Sequence, residues 1–327
     1  MTIHSVIALA AAVALQFNTT ETDTSQISRS AAAVFNSADL APSDNTRLGF
    51  SAEVDGMTTD LSIISTSVMP GKTVTLSSAG KVMAKTGKLE NISGNEWKWT
   101  APGKPGHHEL FIANGAETML VNVFVLTPFK NGKDASLNGY RVGKYNPQPL
   151  RGMESYVPPT GFINMEPGMN DIQIAPHFNL GQFICKQQPG HDPTYLLVHP
   201  DMLIKLETLL EAANDKGWKA DTFFIMSGFR TPFYNAAIGN TTTSSRHLFG
   251  DASDIYIDHD GNGVMDDLNG DGKVTKADAV ALAELAKSIA ESDPVNWPQG
   301  GIGIYDSNAV HGPFVHIDAR GYRARWG

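Results

Sequence analysis

Two histidines and an aspartate in the C-terminal half of the chain have the residue types of a metal site. His247 and Asp254 lie seven residues apart in the segment SSRHLFGDASD, and His316 lies in the later segment FVHID. Two imidazoles and a carboxylate suit zinc, and three protein ligands leave a fourth position open for water. Zinc lowers the pKa of such a water to roughly 7 and polarises a carbonyl group. Alone, these three residue types are a weak signal of a zinc-dependent hydrolase, and their spacing and flanking residues strengthen it.

The residues around the first two candidate ligands form a longer pattern, SxHxxGxAxD. It is matched here by Ser245, His247, Gly250, Ala252 and Asp254. Together with the segments MSGFRTPFYNAAIGN and FVHIDARGYRARW, the pattern resembles the zinc D-Ala-D-Ala carboxypeptidase family, which belongs with the lysostaphin and hedgehog group. The resemblance covers roughly residues 171–327. The whole chain is similar to a bacterial branch of this family that carries an N-terminal β-sandwich.

The resemblance implies a hedgehog/D-Ala-D-Ala peptidase-like zinc domain, with His247, Asp254 and His316 as the zinc ligands. It implies that Arg230, at the arginine of the family's SGYRT segment, binds the substrate, since a guanidinium suits a carboxylate or carbonyl. Ser245 is implied to support the substrate or the metal-binding loop. The implied activity is hydrolysis of D-amino-acid-containing bonds in peptidoglycan stem peptides, by a carboxypeptidase or a cross-link endopeptidase.

The last zinc-binding segment departs from the family where a general base is expected. Many members have Glu or Asp three residues before the final histidine, and another branch has His two residues before it. Those positions here hold Pro313 and Phe314, which cannot transfer a proton. The titratable neighbours are His311 and Asp318. Asp318 shares a strand face with His316, so we favour it as the base, with orientation of His316 as the alternative role.

An acidic insertion at residues 258–278 has the oxygen-rich spacing of a calcium loop. Positions 1, 3, 5, 7, 9 and 12 of the stronger match are Asp267, Asn269, Asp271, Lys273, Thr275 and Asp278. Gly272 fills position 6, and Lys273 contributes its carbonyl oxygen. The final Asp in place of Glu resembles dockerin-like loops. A second, less complete match consists of Asp258, Asp260, Asn262, Asp266 and Asn269. We expect Ca²⁺ here in a structural role; a solvated acidic turn is the alternative.

Changes in composition divide the chain into five segments. They are an apolar signal-like segment at 1–17, a flexible tether at 18–46, a β-sandwich at 47–128, a connector at 129–170 and the zinc domain at 171–327. Short alternating strands in the third segment predict an antiparallel, immunoglobulin-like sandwich. Helices combined with an antiparallel set of strands in the last segment predict an α+β fold class.

Several side chains are expected in the core. In the sandwich they are Trp97, Trp99, Phe111, Leu120, Val123 and Val125. Two amphipathic helices, at 199–216 and 275–291, bury one face each. Those faces consist of Leu203, Leu206, Leu209 and Leu210 in the first helix and Val280, Leu282, Leu285 and Ile289 in the second. Strands are expected at 222–228, at 254–258 and in the segments GGIGIY and FVHIDAR.

Composition excludes some classes of protein. The 327 residues are 41% hydrophobic and 18% charged, as in globular proteins. A net charge of −9 argues against a nucleic-acid binder, which needs a basic face. The single cysteine, Cys185, is expected to be a buried thiol.

The N-terminus predicts export to the periplasm or cell envelope. The apolar run at residues 5–15 suits the core of a signal peptide, although no Lys or Arg precedes it. An uncleaved N-terminal anchor or a helix that packs on the protein are the alternatives. We expect no other membrane span.

Two other functions are open at this level. In the first, the chain is a non-catalytic zinc-containing binding module of the cell envelope. The absence of an acidic residue before His316 favours this hypothesis. Alternatively, Trp97 and Trp99 of the segment EWKWTAP make the sandwich a wall-binding module. Such aromatic pairs are more often part of a core than a platform for sugars.

Overall fold

The computed structural model is mostly β-sheet with few helices, in keeping with an α+β class. The residues that it describes are 41–132, 135–294 and 296–327. They all belong to one compact unit, Ser37–Gly327. The predicted signal-like segment, 1–17, and most of the predicted tether lie outside the described residues. Within those residues, the structure contains no helix of the length and apolarity that crossing a bilayer requires.

The first part of the chain folds into two sheets. Its strands are β1 (Arg47–Val54), β2 (Met57–Leu61), β3 (Ile63–Val68), β4 (Thr73–Ser77), β5 (Lys81–Ala84), β6 (Lys88–Ser93), β7 (Glu96–Thr100), β8 (Gly106–Asn114) and β9 (Glu117–Val125). One sheet has the order β2-β1-β4-β7-β6 and the other β3-β9-β8-β5. The prediction of a fully antiparallel sandwich was wrong for β3, which runs parallel to β9. The chain changes sheets at Ser62, whose N–H donates to Thr46 and whose carbonyl accepts from Leu120.

The tryptophans of β7 belong to the core of these sheets. Trp99 is fully buried, and its indole N–H donates to the Thr86 carbonyl at 2.7 Å. Trp97 is half-buried and packs against the same hydrophobic cluster. Both are therefore core residues and offer no exposed platform. Val123 and Val125 lie in this cluster as predicted, whereas Phe111 and Leu120 form a separate, smaller cluster with Ile63 and Met83.

Short strands connect the first sheets to the C-terminal part. They are β10 (Thr127–Pro128), β11 (Ser136–Leu137), β12 (Tyr140–Arg141), β13 (Gly161–Met165), β14 (Gln173–Ala175), β15 (Phe178–Asn179) and β16 (Thr194–Leu196). The buried Asn122 amide donates to the Gln173 carbonyl, which ties β9 to β14. Cys185 is a buried free thiol, as predicted.

The C-terminal part combines three helices with a five-stranded sheet. Its elements are α1 (Pro200–Asp215), β17 (Phe224–Ser227), α2 (Pro232–Ala237), β18 (Ala252–Tyr256), α3 (Lys276–Ser292), β19 (Gly301–Tyr305), β20 (Phe314–Asp318) and β21 (Ala324–Trp326). The sheet order is β17-β18-β20-β19-β21. The expectation of an antiparallel set was wrong for β21, which pairs parallel with β19. Alternation along a strand gives the buried face but not the direction of its partner.

The two long helices lie within a residue of their predicted ends. The four leucines of the first predicted face are all buried. In α3, Leu282, Leu285 and Ile289 are buried, but Val280 is 36% exposed, so its assignment to the core face was wrong. It lies at the edge of the apolar stripe, where helical spacing alone leaves burial undecided.

Strand alternation gives the five-stranded sheet two chemically different faces. Ile255, Ile302, Val315 and Ile317 point to one side and join the hydrophobic cluster of α1 and α3. The residues between them point to the other side. Cross-strand pairing sets Asp254 opposite His316, and His316 opposite Gly303. The apolar face therefore fixes the sheet on the helices, and the opposite face is left for polar chemistry.

A buried lysine ties α1 to this sheet. The Lys205 ammonium is fully buried, donates to the Asp318 carbonyl at 2.5 Å and lies 4.8 Å from the centre of the Trp297 ring. Burial lowers the pKa of Lys205 from 10.5 to about 8, although the nearby Asp318 charge raises it.

We predict that Lys205 makes the free energy of unfolding rise with pH in the alkaline range. Between pH 8 and 10 the unfolded chain holds more of this proton than the folded chain, so deprotonation favours the folded state. Each unit of pKa difference is worth about 1.4 kcal/mol. Denaturant unfolding of the wild type and of Lys205→Met should show their difference moving in favour of the wild type over this range. A pH-independent difference would contradict the prediction.

Candidate metal centre

The three predicted zinc ligands come together on the polar face of the sheet. The Nδ1 atom of His316 lies 2.8 Å from Asp254 Oδ1 and 3.2 Å from His247 Nε2. His247 Nε2 lies 3.2 Å from the same Asp254 oxygen. Ligand atoms at about 2.0 Å from a tetrahedral ion are roughly 3.3 Å apart. The three atoms therefore fit one triangular face of a zinc site and leave the fourth direction open.

Hydrogen bonds behind the imidazoles fix which nitrogen faces the site. His247 Nδ1 lies 2.7 Å from the Gly228 carbonyl, so it carries the proton and leaves the Nε2 lone pair free. His316 Nε2 lies 3.1 Å from Asp318 Oδ2 and leaves Nδ1 free. Partners of this kind orient metal-binding histidines in general. The His247 Nε2 and His316 Nδ1 atoms thus both face Asp254.

Charge within the site is arranged for a cation. Burial lowers the pKa of His247. Burial also acts to lower the pKa of His316, but hydrogen bonds with Asp254 and Asp318 outweigh it and raise this pKa to about 9. Burial acts to raise the pKa of the Asp254 carboxyl, but the two histidines hold it well below its usual range. A metal ion at this place would displace the His316 proton.

Local steric constraints explain why the SxHxxGxAxD pattern has small residues at two positions. His247 lies on a 3₁₀ turn, Arg246–Phe249, which ends at Gly250 with φ +77°. A Cβ on Gly250 would meet the Leu197 backbone carbon at 2.6 Å. Ala252 then opens β18 directly opposite Asp318. The pattern therefore describes a tight turn that passes straight into the ligand strand.

Arg230 holds the outer oxygen of the aspartate ligand. Its Nη2 donates to Asp254 Oδ2, and its Nε donates to Ser227 Oγ at 2.7 Å. The other carboxylate oxygen, Oδ1, is left toward the histidines. The Nη1 group of Arg230 has no hydrogen-bond partner among the described residues, so the predicted substrate contact remains available to it.

Asp318 lies behind His316 and not in front of it. It is fully buried, and its Oδ1 accepts from the Gly301 N–H and from Arg320 Nε, each at 2.8 Å. Burial acts to raise the pKa of this carboxyl, but hydrogen bonds from His316 and Arg320 hold it far below its usual range. A carboxylate with these partners is a poor proton acceptor. The structure thus places Asp318 as the residue that orients His316, not as the favoured base.

A cavity of about 390 Å³ lies over the three ligands. Arg230 and Ser245 line it with them, so the structure gathers the predicted zinc ligands and both predicted substrate residues. His311 does not line it; this side chain lies in a loop, bonds to Asn308 and contacts the Phe314 ring. Among the described residues that line the cavity, the carboxylate and imidazole groups are those of the three ligands. Among the described residues that line the cavity, none other than the three candidate ligands therefore offers a carboxylate or imidazole as a general base.

The cavity also has walls that the motifs did not indicate. They include Tyr156, Tyr305, Arg320, Tyr322 and Trp326. Tyr156 belongs to the connector, and its hydroxyl lies 3.2 Å from that of Tyr322. Tyr305 and Trp326 could have been found by following the alternation of GIGIY and the last strand onto the ligand face.

The acidic insertion gathers a different set of carboxylates from the one that the sequence favoured. Asp258, Asp260 and Asp266 have ligand oxygens within 4.8 Å of one another. In the part of the chain that the structure describes, Asp267, Asp271 and Asp278 form no such group.

Asp278 explains this difference. It is buried and accepts hydrogen bonds from the N–H groups of Leu268, Asn269 and Thr275. Together with the Thr275 side chain it caps the start of α3. Asp267 accepts from the Gly272 N–H, which helps to lower its pKa. Asn269 and Asp271 bond to N–H groups two residues further on, and Lys273 supplies one of these groups.

Comparison with known proteins does not assign this chain to a family. No family model matches the chain, and neither curated proteins nor solved structures give a significant match.

We predict that Asp318→Asn weakens zinc binding by about 10–100-fold, the usual effect of removing a partner of a metal-binding histidine. Glu207→Gln is the matched control, because Glu207 is likewise buried and bonds to a histidine, His177, at 2.7 Å. Competition with a chromogenic chelator measures both affinities, and thermal unfolding measures stability. Equal zinc affinity in Asp318→Asn and wild type would rule out the orienting role.

Proposed function

We propose that the protein is a zinc-dependent peptidase that hydrolyses D-amino-acid-containing peptide bonds of peptidoglycan. The convergence of His247 Nε2, Asp254 Oδ1 and His316 Nδ1 under an open cavity carries the proposal. Bound zinc would supply a water of lowered pKa and polarise the carbonyl group. The substrate class comes from the likeness of the SxHxxGxAxD and SGFRT segments to D-Ala-D-Ala carboxypeptidases.

Within this proposal the protein's side chains bind the substrate and orient the residues that would hold zinc. Arg230 keeps Asp254 in place and offers its free Nη1 to a substrate carboxylate or carbonyl. Ser245, at the rim of the 3₁₀ turn, adds a hydroxyl to the same wall. Asp318 holds the His316 ring. A cavity of this size is within the range of small-ligand sites. It suits the end of a stem peptide, cut by a carboxypeptidase or a cross-link endopeptidase.

The finer fold assignment belongs to the same proposal. The C-terminal sheet with α1 and α3 is proposed as a hedgehog/D-Ala-D-Ala peptidase-like zinc domain, and the two N-terminal sheets as an immunoglobulin-like sandwich. Peptidoglycan as substrate requires an exported protein, so we propose the periplasm or cell envelope as its location. Stem peptides are the proposed partners.

A second candidate is a non-catalytic zinc module that binds the same cell-envelope ligands. The observation that favours it is that Pro313 and Phe314 stand in the sequence positions of a general base, and that Phe314 lines the cavity. Zinc bound without turnover of any stem peptide would support this function over the peptidase.

We predict that His247→Ala lowers kcat/KM for a synthetic D-Ala-D-Ala muropeptide by more than about 100-fold, because it removes a ligand, whereas partners behind ligands already account for 10–100-fold. The same protein should lose its zinc by elemental analysis. His259→Ala, at an exposed histidine, is the control and should retain both. Full hydrolysis by a zinc-free His247→Ala protein would refute the peptidase proposal.

We also propose that the acidic insertion at 258–278 binds Ca²⁺ in a structural role. The sequence spacing carries this proposal, and the cluster of Asp258, Asp260 and Asp266 marks where carboxylates already converge. The insertion follows β18, which carries Asp254. A cation in it would therefore stiffen a strand that supplies a zinc ligand.

We predict that millimolar Ca²⁺ raises the melting temperature by a few degrees, as binding to the folded state requires. Two double variants locate the ion. Asp258→Asn with Asp260→Asn removes the cluster, whereas Asp267→Asn with Asp271→Asn removes the stronger sequence match. The variant that abolishes the calcium shift identifies the loop. A wild type that melts at the same temperature with Ca²⁺ and with a chelator would exclude both sites.

A further inference from the structure

The position where a general base is missing is occupied by a stacked pair of aromatic rings. Tyr305 of β19 lies opposite Phe314 of β20, two residues along from the pair of Gly303 and His316. The two rings are parallel within 6°, with centres 4.5 Å apart. By alternation Tyr305 is on the same face of the sheet as the zinc ligands. Its side chain lines the cavity with them.

The hydroxyl of Tyr305 is an unused hydrogen-bond donor among the described residues. The indole N–H of Trp326 lies 2.9 Å from the Tyr305 oxygen. An indole N–H can only donate, so the phenolic oxygen is the acceptor in this bond. The phenolic O–H has no acceptor among the described residues, and Tyr305 is 37% exposed. The proton is therefore available to a ligand in the cavity.

The partner that fixes this hydroxyl is itself fixed against the zinc site. Trp326 lies over Gly303, where a Cβ would come within 2.3 Å of the indole ring. The same ring lies 5.2 Å from the centre of the His316 ring. Glycine on β19 thus makes room for an indole that contacts both a candidate zinc ligand and the Tyr305 hydroxyl. This arrangement holds the hydroxyl at a set place relative to the ligands.

We propose that the Tyr305 hydroxyl donates a hydrogen bond to the oxygen of the scissile carbonyl, and donates it more strongly as negative charge develops on that oxygen. The inference rests on the proposed peptidase function. It requires no proton transfer, since the hydroxyl keeps its proton throughout. Fixed donors directed at a developing oxyanion typically account for 10²–10³ in rate. Tyr305 is then a catalytic residue that no motif in the sequence marks.

The test is Tyr305→Phe in the full chain loaded with zinc. We expect kcat for the muropeptide to fall by about 100–1000-fold with little change in KM, because the contact strengthens in the transition state. Zinc content and melting temperature should stay at wild-type values. By calorimetry, the Kd of a phosphinate dipeptide, whose tetrahedral oxygens mimic the oxyanion, should rise at least tenfold.

Tyr256→Phe is the matched control. Tyr256 lies on the same face of the same sheet and stacks on Phe224 with centres 4.6 Å apart. Its hydroxyl donates to the Gly263 carbonyl, and it does not line the cavity. This variant should match the wild type in kcat and in phosphinate affinity.

The outcomes separate the two proposals. An active wild type with an equally active Tyr305→Phe variant, or with unchanged phosphinate affinity, overturns the role of Tyr305 and leaves the peptidase standing. Loss of zinc from Tyr305→Phe also overturns it, because the residue would then support the metal site. A wild type that binds zinc but hydrolyses no stem peptide overturns both.

Discussion

The pairing of β18 with β20 is the constraint on which the site depends. Its register sets Asp254 opposite His316 and brings their ligand atoms to 2.8 Å before any metal is considered. A shift of β20 by one residue would turn His316 toward the helices and bring Val315 and Ile317 to the polar face instead. The apolar face of the sheet therefore enforces the position of the polar one. His247 joins from outside the sheet, on a turn that Gly250 allows to lie against Leu197.

Three buried aspartates around this pairing are each matched by an arginine. Asp254 pairs with Arg230, Asp251 with Arg246 and Asp318 with Arg320. Desolvation of two charges offsets much of the attraction in a buried pair, so such pairs are weak evidence of stability. In this site the ion pairs serve to fix the positions of the carboxylates. Each arginine holds a carboxylate in one orientation, and two of those carboxylates contact the His316 ring.

Two of the three candidate ligands could be placed together from the sequence because their signals are local. His247, Gly250 and Asp254 belong to one turn and one strand, where spacing determines which side chains share a face. Strand pairing is non-local, which is why the parallel directions of β3 and β21 were missed. The exposure of Val280 was missed because this residue lies at the edge of the apolar stripe of its helix. Asp278 illustrates a further limit. The same carboxylate satisfies the pattern of a calcium loop and of a helix cap, and in the structure it forms the cap. Alternation could have placed Tyr305 on the ligand face, but its hydrogen bond with Trp326, 21 residues away, had no local signal.

The chemistry of the cavity follows from which groups are left uncommitted. The carboxylates near it are engaged: Asp254 by Arg230 and the histidines, and Asp318 by Arg320 and the Gly301 N–H. Two uncommitted donors face the cavity, namely the Nη1 group of Arg230 and the hydroxyl of Tyr305. These donors would favour an oxygen that gains negative charge, whereas the engaged carboxylates would take up a proton poorly. Under the proposed peptidase function, we therefore expect the cavity to stabilise an anionic transition state, with the proton passing to solvent or to the departing amine.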